Sequence, residues 1–230
     1  MTRARKAVLA VGVLGALLTA AFFVVPGLLF SDGVDHSKAV SIKGASGYQD
    51  AALLEKAWAL PVAQLYRGGV DYQHNGSFCG PASVVNVLRS LGVPADQATV
   101  LEGTGITTVG GAVVGGLTLD QLAELARKKL QGKKVTAFHD LDLDGFRAQL
   151  RRTNETGVRA IINFHRGPLF GQGGGHHSPI AGYLAEEDLA LVLDVNETFK
   201  PWLVKSARLY EAMNTLDKSA GLKRGLIFVE

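Results

Sequence analysis

The chain has 230 residues, 24 Lys+Arg against 21 Asp+Glu and a single cysteine, for a formal net charge of +3. Arg3, Arg5 and Lys6 stand at its start, and 24 less these three leaves 21 basic against 21 acidic residues from residue 31 onward. A nucleic-acid binder carries its basic excess on the folded domain, so this balance argues against DNA or RNA as partner, and 47% hydrophobic content excludes disordered and collagen-like classes.

Residues 7–30 carry no charge, and 19 of the 24 are apolar. A helix of that length would be about 36 Å long, enough to cross a hydrocarbon core of about 30 Å. The basic residues precede it, so the amino terminus is expected in the cytoplasm and the rest exported, periplasmic or on the extracytoplasmic face of the inner membrane. A retained anchor and a cleaved signal peptide both fit. The organisation expected is a leader over 1–30, a tether and entry segment over 31–60, and a catalytic domain over 61–230.

A short helix is predicted over residues 51–60, ended by Pro61. The next helix starts at Cys79, with Ser77 as its N-cap, Pro81 in its first turn and Val84, Val87, Leu88 and Leu91 on one face. Residues 103–116 are glycine-rich without periodicity and read as a mobile loop; they lack the lysine pattern of a phosphate cradle. Thr118-Leu119-Asp120-Gln121 is a capping box opening a helix with Leu119, Leu122 and Leu125 inward. Strands are predicted over 134–138, 158–164, 178–183, 189–195 and Leu226–Val229, and helices over Leu143–Arg152 and residues 206–214. Helices followed by mostly antiparallel strands make an α+β pattern.

Cys79 has no disulfide partner in an exported chain, which demands an explanation. A helix N-terminus favours a thiolate, and a nearby imidazolium favours it further. The histidines available are His36, His74, His139, His165, His176 and His177. His176 and His177 stand where a glycine run enters a strand. Asp194 lies in the apolar run of the next strand, where a carboxylate needs a partner and could orient an imidazole. Gln73, six residues before Cys79, could join a backbone N–H in holding a tetrahedral oxyanion.

These residues resemble the catalytic domain of phytochelatin synthases, especially short bacterial forms. The likeness rests on Gln73 with Cys79-Gly80-Pro81-Ala82-Ser83, on Phe164-His165-Arg166-Gly167, on Gly175-His176-His177-Ser178-Pro179-Ile180 and on Leu193-Asp194-Val195. The segments from Leu209 to Met213 and at Arg224-Gly225 also fit, so the resemblance runs over residues 70–228. It implies a papain-like fold with Cys79 as nucleophile, His176 as base, Asp194 as its orienter and Gln73 as oxyanion donor. The implied reaction is transfer of γ-glutamylcysteine from glutathione, with loss of glycine, to water or a second glutathione. His177 stands where the family usually has an apolar residue, and Glu197 where it usually has an arginine.

The resemblance implies no required cofactor; heavy-metal ions such as cadmium or zinc would enter as glutathione thiolates or touch the site. A second copy of the chain is also a candidate partner. Two other readings stand beside this one: a papain-like peptidase of the bacteriocin-processing kind, whose Gln and Cys-Gly-Pro-Ala opening is similar, and a non-catalytic exported binding protein.

Overall fold

The computed structural model describes residues 34–230. The leader expected over 1–30 lies outside the described residues, and among those described no helix is long and apolar enough to cross a membrane.

A six-stranded antiparallel sheet organises the chain, in the order β1-β8-β2-β3-β4-β5. Its strands are β1 (Val135–Phe138), β2 (Arg159–His165), β3 (Gly175–Leu184), β4 (Leu189–Leu193), β5 (Pro201–Lys205) and β8 (Leu226–Val229). A small hairpin of β6 (Leu216–Asp217) and β7 (Leu222–Lys223) precedes the last strand. The central strands read as unbroken apolar runs because both faces of the sheet are covered. In β2, Ala160, Ile162 and Phe164 enter the same core as Phe146, Leu150 and Leu209 of the helices Leu143–Arg152 and Ser206–Met213. Ile161, one residue out of phase, meets Val84, Val87 and Leu122 of the helices Cys79–Ser90 and Leu119–Lys129. This is strand alternation acting on two cores at once. Each fully buried Ile or Leu contributes about 1.5–3 kcal/mol of apolar transfer.

The α+β architecture is the one expected, and most elements fall within a residue or two of the sequence reading. Three differ. The N-cap of the Cys79 helix is Phe78, without a side-chain cap bond, because Ser77 is drawn into the turn by Asn75 and its hydroxyl accepts Val113 N–H instead. Trp202 and its neighbours form strand β5, where no strand was expected. His165 accepts the Gly167 N–H and so caps a short helix over Arg166–Phe170. The segment expected as a tether also feeds the core, through Ile42 and Tyr48.

Candidate active site

Cys79 is the first residue of its helix and is 6% exposed. The following helix turn is held by Ser83, whose hydroxyl donates to the Cys79 carbonyl at 2.7 Å. The thiol is hydrogen-bonded to the His176 side chain and receives the backbone N–H groups of His177 and Gly80. Burial pushes the thiol up, but the bond and charge of His176 and the two amides outweigh it, so the group is held below the ordinary thiol range.

Strand period separates the two histidines. In β3, His176 lies opposite Phe164 and His177 opposite Asn163, so their rings leave opposite faces of the sheet. The His176 ring sits edge-on to Phe164 at 5.5 Å, and its Nε2 donates to Asp194 Oδ1 at 3.0 Å. That leaves Nδ1 for the thiol. Burial and the charge of Arg166 push His176 down, yet the charge and hydrogen bond of Asp194 and the bond to Cys79 raise it overall. A lowered thiol facing a raised imidazole is the arrangement of a thiolate–imidazolium pair.

His177 is a different kind of group. Its Nε2 donates to the Leu117 carbonyl at 2.8 Å, while burial, chiefly, pushes it down to about 4. It is neutral at neutral pH and anchors the residue that ends the glycine-rich loop.

Asp194 follows directly on β4 and is fully buried. Four donors explain how a carboxylate survives there: His176, Arg166 Nη2 at 2.8 and 2.9 Å to its two oxygens, Trp202 Nε1 at 2.9 Å and the Asn196 N–H at 2.9 Å. Burial alone would raise its pKa; His176 and Arg166 reverse that and hold it well below the carboxylate range.

Gln73 is placed beside this group by its backbone, whose N–H donates to the Val195 carbonyl at 2.8 Å. Its amide nitrogen donates to the Asn75 carbonyl at 2.7 Å, and its Oε1 is buried without a partner. One amide N–H is engaged in the loop before Cys79 rather than held toward the thiol.

The remaining histidines have other work. His165 is a helix cap with the His36 ring 5.0 Å away, His139 bonds Lys223 and Asp120, and His74 is exposed. Among the described residues no group of three or more His, Cys, Asp or Glu is placed to hold a metal ion.

A cavity of about 650 Å³ opens beside Cys79, lined on its other walls by His177, Asp217, Arg224 and residues 34–37. Arg224 Nη1 donates to Asn163 Oδ1 at 2.9 Å and to Asp217 Oδ2 at 3.2 Å, so the wall presents a cation and a carboxylate side by side. Sequence reasoning gave no role to Arg166, Trp202, Asp217 or Arg224. The signal for Arg166 was the buried carboxylate at 194, which asked for a cation; Asp217 sits in a hairpin too short to stand out by periodicity.

A family model described as phytochelatin synthase matches residues 40–226. The chain is 34% identical over 180 residues to "Glutathione gamma-glutamylcysteinyltransferase 1" of Triticum aestivum, covering 68% of this chain and 33% of that protein. It is 39% identical over 102 residues to the protein of that name from Arabidopsis thaliana, covering 43% and 21%. It is 28% identical over 171 residues to "Glutathione gamma-glutamylcysteinyltransferase" of Schizosaccharomyces pombe, covering 69% and 41%. The chain thus spans about a third of the length of the first of these relatives. Among solved structures, the peptidase domain of Streptococcus ComA is similar at 19% identity and a TM-score of 0.47, covering 69% of this chain and 94% of that one.

Proposed function

The chain belongs to the phytochelatin synthase family, and from that premise we propose that it cleaves the Cys–Gly peptide bond of glutathione through an acyl-enzyme on Cys79. The observation that carries the reading is the relay from Cys79 through His176 to Asp194, with the imidazole's two nitrogens divided between thiol and carboxylate.

The Cys79 thiolate attacks the carbonyl carbon of the substrate's cysteinyl residue. The oxyanion that forms is stabilised by the Cys79 backbone N–H and, after a small turn of its amide, by Gln73. The His176 imidazolium gives its proton to the departing glycine nitrogen, the C–N bond breaks, and γ-glutamylcysteine remains as a thioester on Cys79. Neutral His176 then takes a proton from the acceptor as it attacks that thioester. Water as acceptor yields free γ-glutamylcysteine; the amine of a second glutathione yields the lengthened peptide. Asp194 keeps the imidazole in one tautomer throughout and stabilises its cation. Arg224 and Asp217 support the substrate assignment, since the γ-glutamyl end carries an α-carboxylate and an α-ammonium group, the complements of the two side chains.

In the same reading cadmium or zinc enters as a glutathione thiolate, and the charge-free segment 7–30 behind Arg3, Arg5 and Lys6 supports a domain exported across a membrane. Intact-mass measurement after incubation with glutathione is expected to show one γ-glutamylcysteinyl group on the chain, with glycine released. Cys79→Ala is expected to show neither; glycine release undiminished in that variant would sink the proposal.

A further inference from the structure

Arg166 takes no part in the steps above, yet it is among the most firmly built residues near them. It is the first residue of its short helix, with its backbone N–H on the Gly174 carbonyl at 2.9 Å, and it is 7% exposed. Its guanidinium lies 3.9 Å from the centroid of the Phe199 ring, with the Phe170 and Phe164 rings at 5.5 and 5.6 Å. One nitrogen, Nη2, serves both oxygens of Asp194, and Nη1 is buried without a hydrogen-bond partner. A buried cation committed in this way to a carboxylate that His176 already occupies is more than a fold contact. Three aromatic faces hold the charge in place, and a single donor atom bridging both oxygens fixes the plane of the carboxylate.

We propose that Arg166 is a positioning residue that orients Asp194 and offsets its charge, so that His176 binds its proton loosely enough to pass it to the leaving group. The proposal rests on the reading of Cys79 and His176 as nucleophile and base. Without Arg166, the buried Asp194 anion would act on the imidazolium unopposed, and in so poorly screened a place that attraction is strong. His176 would then hold its proton to higher pH. Because the thiol and the imidazole titrate as a coupled pair, loss of a buried positive charge behind them would make the Cys79 thiol ionise at higher pH too. The charged and titratable groups facing the pair are Arg166 and Asp194 behind it, His177 beside it on β3, and Tyr48 and Tyr72, whose hydroxyls feel Asp194 from the entry segment and from the loop before Cys79. Across the cavity Arg224 is ion-paired with Asp217, and none of the other groups carries a compensating positive charge at neutral pH.

The test is the pH dependence of Cys79 alkylation by iodoacetamide in the full chain, from about pH 4 to about pH 10, where the single thiol makes the readout unambiguous. In Arg166→Gln, which keeps an amide donor and loses the charge, both inflections are expected to move up by about one pH unit. In Arg166→Lys, which keeps the charge and loses the two-oxygen geometry, they are expected to stay in place while glycine release falls. Inflections unmoved in Arg166→Gln, with only a lower amplitude, would mean a structural role and overturn the proposal. Should that variant fail to fold, Arg166→Lys carries the test alone, and an upward shift there overturns it. Alkylation needs no glutathione, so a wild-type chain that alkylates with these inflections but releases no glycine overturns the substrate reading and leaves this one standing.

Discussion

Adjacent histidines with the same side chain have opposite electrostatic fates here, and the cause is strand geometry. His176 is turned toward a carboxylate and a thiol; His177 is buried and turned toward a backbone carbonyl. The folded pKa of His177, about 4, lies below the 6.5 of an unperturbed histidine. The unfolded chain therefore binds an extra proton between about pH 6.5 and about pH 4, and stability falls as the pH drops through that window. At pH 5 this one group is expected to cost about 2 kcal/mol relative to pH 7. Urea denaturation of His177→Phe should show a correspondingly smaller loss between those pH values while glycine release persists. His176→Ala should instead abolish turnover. At this scale the sequence was informative about identity and poor about partners. A lone cysteine at a helix start, and an aspartate among aliphatic residues, both announced chemistry. Arg166 and Trp202 could not be paired with Asp194 from the sequence, because their approach depends on a cap at His165 and on an unrecognised strand, each set by tertiary packing.

The elements that deliver these residues were legible wherever a local signal was strong. The Thr118–Gln121 capping box is present with both of its bonds, and Leu143–Arg152 and Leu226–Val229 are found at their expected bounds. Ser77 failed as a cap because Asn75, two residues earlier, competes for its N–H and hydroxyl, a local contest that residue preference alone does not resolve. Strand β5 was missed because the loop joining it to β4 turns left-handed at Lys200, φ 55°, a conformation that glycine or asparagine usually marks at its own position. Close approach of elements has its own signature at Gly225, just before β8. A Cβ there would run into the backbone carbonyl of Phe138 on the neighbouring strand, and backbone cannot step aside as a side chain can. Gly225→Ala is expected to lower stability by about 1–3 kcal/mol, read from the urea midpoint. It should also weaken glutathione turnover, because the displaced strand start carries Arg224 away from Asn163.

Across the whole molecule, the charge of +3 belongs to residues 1–30, and residues 31–230 are neutral. The described residues bury a core on each face of the sheet and a third where β3–β5 meet residues 57–66, and the candidate site lies between the Cys79 helix and β3. Residues 34–37 come from the far end of the chain, close behind the expected leader, and yet they form part of the cavity wall. Removing residues 1–33 is expected to leave turnover intact. Removing 1–41 should leave the melting temperature close to that of the longer chain, since Ile42 and Tyr48 remain, while KM for glutathione rises several-fold. A domain boundary is usually drawn where regular structure begins, and among the described residues that is residue 42. A protein prepared to that boundary would pass every assay of folding and still misreport its own substrate preference, because one side of the vessel in which the reaction takes place would be missing.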